Sequence, residues 1–379
     1  MLKRPSEGLS NQSSHIAELD GIRGLAVLMV LVWHYVHCQI APPDSPTISG
    51  LLHWTSLSWT GVDLFFVLSG FLIGGIVVDN QHRAGFFRSF YLRRAARILP
   101  VYVCLISLFI VARATLDRER FHWLFENDLP LVGYLTFTQN ILMGLGETFG
   151  GHFVSVTWSL AVEEQFYLVV PLLLWIAGRY RQSWLAVLIL VAPLLRWAFP
   201  GFHTFMNTPF RMDALLIGVM LATAVRSPSW LAWLARNKSW LWGVFLGLLL
   251  VMGYITHKGL AQASLAPTAV ALFYAALILM SLVHRNQPAT AILRTPLLTR
   301  LGFYSYGLYM YHQMTSGLMH GVFRKGIPIM RDASDVVVTL ASLLIALALA
   351  ILSRHTLESY FLTLGRGTKP IWTSGARPC

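Results

Sequence analysis

Charged residues and cysteines are both scarce in this chain of 379 residues. Only 12% of the residues are charged and 55% are hydrophobic, with a mean hydropathy of +0.59, which excludes an ordinary soluble domain. The three cysteines, Cys38, Cys104 and Cys379, lie far apart, so neither a metal cluster nor a disulfide framework is indicated. Residues 1–17 contain no apolar stretch typical of a cleavable signal peptide, so we expect the first helix to direct membrane insertion.

The sequence motifs of several enzyme classes are also missing. No P-loop, GxSxG, HExxH or dinucleotide-binding glycine fingerprint stands at a credible position, which leaves nucleotide hydrolysis, soluble serine hydrolases and zinc chemistry without support. We therefore predict no metal. The 29 Lys and Arg residues outnumber the 17 acids, but most fall in short segments between apolar runs, which indicates membrane topology and no nucleic-acid partner.

Ten apolar runs predict an all-α, polytopic transmembrane helical bundle of about ten spans. The runs are 24–40, 60–79, 98–114, 154–177, 184–199, 213–225, 239–255, 267–283, 302–320 and 336–353. With the N-terminus in the cytoplasm, 20 of the 29 basic residues lie on the cytoplasmic side, which favours both termini inside. We expect a cytoplasmic segment at 1–18, a transmembrane domain at 19–354 and a mobile cytoplasmic tail at 355–379. We also expect a short surface helix in the outer loop between the third and fourth runs.

The first apolar run carries an arginine and a histidine on one helix face. Eleven residues separate Arg23 from His34, a spacing that returns to the same face about 16 Å further along the axis. With Arg23 at the cytoplasmic surface, His34 lies about halfway through the roughly 30 Å hydrocarbon core, where an ionisable group is costly and marks a functional candidate. The alternative is a helix-capping arginine and a core histidine bonded to a neighbour.

The second run is followed by the densest charge in the chain. Five arginines lie between Arg83 and Arg97, where they could attract anionic lipid headgroups or set the topology. Arg94 and Arg97 share a helix face, and a pair of guanidinium groups suits bidentate phosphate contacts. We include Arg93 with them as a donor-binding candidate. Within the second run, Ser69 is a candidate cavity residue, and its neighbouring glycines are expected to form a packing face.

A second polar stripe occupies the fourth run. Ser159, Glu163 and Tyr167 repeat at four-residue spacing, whereas Glu164 points elsewhere. At least one of the two adjacent glutamates must face a polar cavity or a partner. Counted inward from the outer end of the helix, Glu163 lies about 14 Å deep, which is close to the depth expected for His34.

Two later runs add further polar candidates. Arg211 and Asp213 stand at the outer mouth of the sixth run, where a salt bridge and an acceptor contact are both compatible with the sequence. The ninth run contains four tyrosines within eight residues and then His312, about 15 Å from the cytoplasmic side. The tyrosines could serve packing or an interfacial belt, but the similar depth of His312, His34 and Glu163 predicts a shared cavity.

Ionisable groups at one depth, above an inner cluster of arginines, suit a reaction within the membrane that uses a charged cytoplasmic donor. Histidine is matched to proton transfer near neutral pH, and acyl transfer to an alcohol fits these groups. We expect His34 to act as general base or to carry the acyl group briefly, Glu163 to orient it or a sugar, and Arg23 to hold the donor. The alternative is a transporter or channel with a midplane polar site.

Six motifs in order resemble the integral-membrane acyltransferase-3 family of bacterial sugar O-acyltransferases. They are ELDGIRGLAVLMVLVWHY, GVDLFFVLSGFLI, RAARILP, WSLAVEEQFY, RMDALLIG and LGFYSYGLYMYH, and they extend from about Leu19 to Arg354. The resemblance implies that Arg23 and His34 are essential, that Arg94 and Arg97 belong to the donor region, and that Glu163 lies in the acceptor-side helix.

The resemblance also carries expectations about partners and location. It implies acetyl-CoA as donor, a surface glycan hydroxyl as acceptor, and the bacterial cytoplasmic (inner) membrane as location. Many relatives carry a fused extracytoplasmic esterase-like domain, which we do not expect in a chain of this length. Lipopolysaccharide, exopolysaccharide, peptidoglycan, a lipid-linked sugar and a macrolide-type molecule all stay open as acceptors, and the oligomeric state is open as well.

Overall fold

The computed structural model describes residues 16–40, 46–261 and 263–366, and these residues form a helical bundle. In chain order, the α-helices are α1 Ala17–Val32, α2 Pro46–Thr55, α3 Gly61–Asn80, α4 Phe86–Thr115, α5 His122–Phe125, α6 Leu131–Leu135, α7 Gln139–Leu145, α8 Thr157–Ala177, α9 Arg181–Ala198, α10 His203–Met206, α11 Thr208–Ala224, α12 Pro228–Arg236, α13 Lys238–His257, α14 Ala266–Val283, α15 Pro296–Phe323, α16 Ala333–Ser353 and α17 Ser359–Arg366. The all-α prediction is confirmed.

Each of the ten predicted runs falls on one of the long helices, which are α1, α3, α4, α8, α9, α11, α13, α14, α15 and α16. By length and composition, seven helical stretches of the described residues could cross a membrane, or eight if one bent pair counts as a span. The helices therefore support a multi-pass membrane protein. The number of crossings and the position of the termini stay predictions.

Glycines bring α1 and α15 into close contact. A β-carbon built on Gly24 would lie 1.9 Å from the carbonyl oxygen of Leu298, and one on Gly302 would lie 2.0 Å from that of Asp20. Neither distance is sterically possible, so only glycine permits this crossing. The crossing places the face of α1 that bears Arg23 and His34 beside the tyrosine-rich α15.

Glycines also bring α3 and α11 into close contact. A β-carbon on Gly70 would lie 1.9 Å from the carbonyl oxygen of Leu215, and Gly74 packs against Val219. The predicted packing face of α3 is therefore confirmed. Because Ser69 precedes Gly70 on the helix, this contact also sets the direction in which Ser69 points, away from α11 and toward the interior cavity that it lines.

The outer loop between α4 and α8 contains the predicted short helix as two pieces, α6 and α7. The C-terminal region differs from its prediction, because residues 354–358 continue as a π-helix and α17 packs against α4. Residues 1–15 and 367–379, which include parts of the predicted cytoplasmic segments, lie outside the described residues.

A labelling experiment would test the predicted orientation. A single cysteine introduced near Gly201, in the connection after α9, should react with an impermeant thiol reagent added outside intact cells. One introduced near Ser229, in α12, should not react until the cells are opened, because the predicted topology places it in the cytoplasm. The reverse labelling pattern would contradict the ten-span arrangement.

Candidate active site

A cavity of about 360 Å³ lies within the bundle, between α1, α3, α4, α8 and α15. It has a polar part and an apolar part. The polar lining residues are Arg23, Ser69, Arg94, Arg97, Ser159, Glu163, Tyr167, Ser305, Tyr306 and Tyr309. The apolar lining residues are Val62, Phe65, Phe66, Leu68, Leu72, Ile73, Ile76, Ile98 and Leu160.

Three arginines from two helices meet in the polar part of the cavity. Arg23 comes from α1 and is paired with Asp20 at 3.3 Å, while Arg94 and Arg97 are one turn apart on α4. The guanidinium of Arg94 lies over the ring of Tyr167, 5.6 Å from its centre. A cluster of this kind is suited to several oxygens of an anionic group, such as a phosphate.

Glu163 faces the same arginines from α8, next to Ser69 and Tyr167, whose hydroxyl groups are hydrogen-bonded to each other. The carboxylate therefore offsets part of the positive charge in a poorly solvated site. Glu163 in the lining and Asp20, which pairs with Arg23, are two carboxylates against three guanidinium groups, which leaves a surplus of positive charge. The cavity can therefore accept an anionic ligand without first losing its own internal counterion.

Two histidines from distant parts of the chain are hydrogen-bonded beside this cavity. His34 lies in the turn that continues α1, and His312 lies on α15. The distance from His34 Nδ1 to His312 Nε2 is 3.1 Å, and the two ring centres are 4.9 Å apart. His34 is half-buried and His312 is fully buried. The close approach of α1 and α15 at their glycines makes this contact possible.

The surrounding carbonyl groups determine which nitrogen of each neutral imidazole carries a proton. His312 Nδ1 lies 2.7 Å from the carbonyl oxygen of Tyr309, which can only accept, so Nδ1 donates and Nε2 is the acceptor. His34 Nδ1 lies near two acceptors, His312 Nε2 and the carbonyl oxygen of Val30 at 3.0 Å, so it must donate. His34 Nε2 therefore retains its lone pair and is the atom available as a base.

The backbone around His34 departs from a regular α-helix. Residues Trp33–His37 form a π-helix, closed by a bond from the Cys38 N–H to the carbonyl oxygen of Trp33. Such single-turn bulges are frequent at functional sites, because they rotate side chains relative to the preceding helix. The sequence gives no indication of this bulge, although the spacing from Arg23 predicted His34 as a site residue.

The outer loop places a third histidine on the far side of the pair. A β-carbon on Gly317, five residues beyond His312, would lie 3.1 Å from the ring of His152. Burial lowers the pKa of His152 to about 4, so its imidazole is neutral at pH 7 and adds no charge near the pair. Close by, Ser155 donates a hydrogen bond to the side-chain oxygen of Gln313.

The predicted shared cavity is present only in part, because Glu163 lines the cavity whereas His34 and His312 are not among its lining residues. His34 and His312 meet as predicted, but Glu163 lies with the arginines, and the hydrogen-bond partner of His34 is His312. The depth estimate for Glu163 assumed that α8 begins at the membrane surface. The first residues of α8 are instead already buried beneath the outer loop, with Thr157 fully buried, so Glu163 lies closer to the arginines than estimated.

Arg211 and Asp213 are not among the cavity-lining residues and do not pair with each other. Arg211 forms a buried salt bridge with Asp63 at 2.6 Å, and Asp213 forms one with Arg196 at 2.7 Å. Both pairs connect α11 to neighbouring helices. The salt-bridge alternative is therefore correct, but with partners that sequence spacing could not identify. Arg93 lies on the same helix as Arg94 but outside the described cavity lining.

Apart from Tyr167, sequence reasoning gave no functional role to the aromatic residues of the lining. Phe65, Tyr306 and Tyr309 all face the cavity, and the Tyr306 hydroxyl donates to the carbonyl oxygen of Ile98 at 2.7 Å. The sequence signal that could have indicated such a role was the cluster of tyrosines in the ninth run. Their separation into cavity-facing and outward-facing members required the position of α15 relative to α8.

Comparison with known proteins adds an independent finding. The family model for the acyltransferase domain, acyltransferase-3, matches residues 16–355. A Staphylococcus aureus (strain COL) protein named as an O-acetyltransferase is 26% identical over 354 residues, covering 86% of this chain and 55% of the relative. No solved structure matches the chain.

Two further relatives differ in length. The Bacillus subtilis (strain 168) protein YrhL, named as a peptidoglycan O-acetyltransferase, is 28% identical over 389 residues, covering 96% of this chain and 56% of its own. The acyltransferase MdmB of Streptomyces mycarofaciens is 25% identical over 388 residues, covering 95% of both chains. The chain thus spans about half the length of the first two relatives. From its motifs and the extent of the family match, the chain belongs to the acyltransferase-3 family.

Proposed function

We propose that the protein is a membrane-embedded O-acetyltransferase, which moves an acetyl group from cytoplasmic acetyl-CoA to a hydroxyl of a cell-envelope or secreted glycan. The observation that carries this proposal is the arrangement of three arginines around one cavity, directly beside a hydrogen-bonded histidine pair. The arginines suit an anionic donor and the pair suits deprotonation of an alcohol. A bacterial cytoplasmic membrane would give the protein access to both substrates.

The donor is proposed to bind with its phosphate groups at Arg23, Arg94 and Arg97. Guanidinium groups hold phosphate oxygens through charge-assisted hydrogen bonds, and the poorly solvated site strengthens them. The apolar lining on α3 would then receive the uncharged arm of the donor, which carries the thioester. Glu163 is proposed to keep the arginines in position and to contact the uncharged arm or the acceptor. A role of Glu163 in orienting His34 is not part of this proposal.

The transfer step is proposed to use His34 Nε2 as the general base. It takes the proton of the acceptor hydroxyl while that oxygen attacks the thioester carbonyl carbon. A C–O bond forms, the C–S bond breaks, and the departing CoA thiolate takes the proton back from the imidazolium. His312 keeps the lone pair of His34 on Nε2 and stabilises the cation that forms during the step, as the orienting member of a catalytic triad does.

The names of the relatives bear on the acceptor. YrhL is named for peptidoglycan O-acetylation, and MdmB is named only as an acyltransferase. Both support an alcohol acceptor, and a glycan hydroxyl is the acceptor that we propose for this chain. The transporter alternative loses support, because membership of an acyltransferase family accounts for the buried charges that had favoured it.

A binding measurement would test the donor site. Arg94→Ala and Arg97→Ala should each weaken binding of CoA to the protein in nanodiscs by about 10–100-fold, because a charge-assisted bond contributes about 1.5–3 kcal/mol. Arg88→Ala is the matched control, since Arg88 is an exposed member of the same arginine cluster outside the cavity lining. Equal CoA affinity in all four proteins would return Arg94 and Arg97 to a lipid-facing or topological role.

A further inference from the structure

Tyr309 stands between the donor cavity and the histidine pair. It lines the cavity together with Ser305 and Tyr306 of the same helix, and its ring centre is 5.8 Å from that of His312, one turn further along. Among the described residues, the cavity lining includes neither His34 nor His312. A thioester within the cavity is therefore separated from the base by this side chain.

Two contacts hold Tyr309 in this position. Its hydroxyl lies 2.5 Å from the Ser159 hydroxyl and 3.2 Å from the carbonyl oxygen of Val156, both at the start of α8. Its ring meets the edge of Phe65 from α3, with ring centres 5.9 Å apart. Helices α3, α8 and α15 thus come together at Tyr309, on the side of the cavity that faces His312.

The depth of α3 supports the same order of groups. A β-carbon on Gly61, the first residue of α3, would lie 2.9 Å from the carbonyl oxygen of Ala26 and 3.1 Å from the Val30 side chain. The outer end of α3 therefore lies about one turn inside His34. Along α15, the cavity-lining Ser305 and Tyr306 come first, then Tyr309, and then His312 of the histidine pair.

We propose that Tyr309 is a gate, supported by Phe65, that keeps the donor thioester from the histidine pair until an acceptor is bound. This inference rests on the proposed function. An ungated base would activate water instead of the acceptor: the water oxygen would attack the thioester carbon, His34 would take the proton, and the C–S bond would break. Acetate and free CoA would form, so the acetyl group would be wasted.

The contacts of Tyr309 indicate how an acceptor would open the gate. Val156 and Ser159 belong to the turn where the outer loop enters α8, next to Ser155 with its bond to Gln313. This turn is buried beneath the outer loop and its Ser159 lines the cavity, so an acceptor contacts it once it lies in the cavity beside the donor. When its hydroxyl groups bond to this turn, they replace the Tyr309 hydroxyl, and the ring is free to rotate away.

The test measures release of free CoA from acetyl-CoA in nanodiscs with no acceptor added. Tyr309→Ala should raise this release by about 10-fold or more, toward the 10²–10⁴-fold that a positioned base supplies. Tyr309→Phe keeps the ring but loses the bonds to α8, so it should give a smaller increase. Tyr304→Phe is the matched control, since it removes a tyrosine hydroxyl outside the cavity lining on the same helix, and its release should equal that of wild type.

Two further measurements distinguish failure of the gate proposal from misfolding and from failure of the proposed function. The double variant Tyr309→Ala with His34→Ala should return to the wild-type rate, because the wasted reaction uses the same base. CoA binding reports folding, and if Tyr309→Ala fails to bind CoA, Phe65→Ala is judged by the same release assay. Normal CoA binding without faster release overturns the gate and leaves the proposed function intact. If wild-type protein binds CoA no more tightly than the Arg94→Ala and Arg97→Ala variants, the proposed function is overturned instead.

Discussion

Replacing His34 with alanine is expected to lower acetyl transfer by about 10²–10⁴-fold, the contribution of a positioned general base. His34 Nε2 is the nitrogen left with a lone pair once the carbonyl oxygens have fixed the two tautomers. CoA binding should be unchanged, because His34 lies outside the cavity lining. The measurement is the amount of acetylated glycan in cells that express each variant, together with CoA titration of the purified protein.

A nearby histidine provides the control for this variant. His37 lies in the same π-helix, stacks on Trp33 and contacts the Thr55 hydroxyl, so it shares the backbone of His34 without touching His312. His37→Ala should leave transfer near the wild-type rate. Substantial transfer by a well-folded His34→Ala variant would show that the base belongs to another residue. Labelled acetyl trapped on the wild-type protein without acceptor would instead favour a covalent intermediate.

Loss of the second histidine should be nearly as severe. His312→Ala removes one of the two acceptors of the His34 Nδ1 proton and leaves only the Val30 carbonyl oxygen, so the imidazole loses its side-chain orienting and stabilising partner. We expect transfer to fall by about 10²–10⁴-fold, as when the orienting member of a triad is changed. His312→Gln should recover much of this loss, because a glutamine oxygen can accept the same hydrogen bond.

A comparison of His312→Gln with His312→Leu separates the orientation of His34 from the packing of α15. Glutamine fills less of the space of the fully buried imidazole but retains an acceptor, whereas leucine fills space and offers none. If His312→Leu and His312→Gln are equally impaired while both proteins bind CoA normally, His312 serves the packing of α15 and not the orientation of His34. Recovery by glutamine alone supports the assigned tautomers.

The sequence predicted the helices well, because apolar runs and their lengths are local properties. All ten runs fall on helices, and the spacing of Arg23 and His34 indicated a face of α1 whose residues contact the cavity and His312. The cavity residues Ser69, Ser159, Glu163 and Tyr167 were also found from one helical stripe or motif at a time. Periodicity needs only the immediate neighbours of a residue, so it is readable from the sequence.

Contacts between helices were less predictable, because they depend on depth and rotation. The bond between His34 and His312 joins residues 278 apart, and its formation depends on glycine contacts that fix how α1 and α15 cross. Glu163 lies with the arginines in the cavity lining, a neighbourhood that its depth estimate did not indicate, because the outer loop buries the start of α8. The partners of Arg211 and Asp213 come from α3 and α9, and no spacing rule relates those helices.

The buried salt bridge between Asp63 and Arg211 has a consequence for how the protein is made. Its two residues are 148 positions apart, whereas Arg196 and Asp213 are separated by only 17. At about 5–20 residues per second, ribosomes need roughly 7–30 s to deliver Arg211 after Asp63. During that interval the carboxylate of Asp63 lacks its arginine, so α3 cannot reach its final place in the bilayer before α11 has been inserted. Docking of α3 on α11 therefore waits for the synthesis of α11, and a ribosome pause between them prolongs the exposed state.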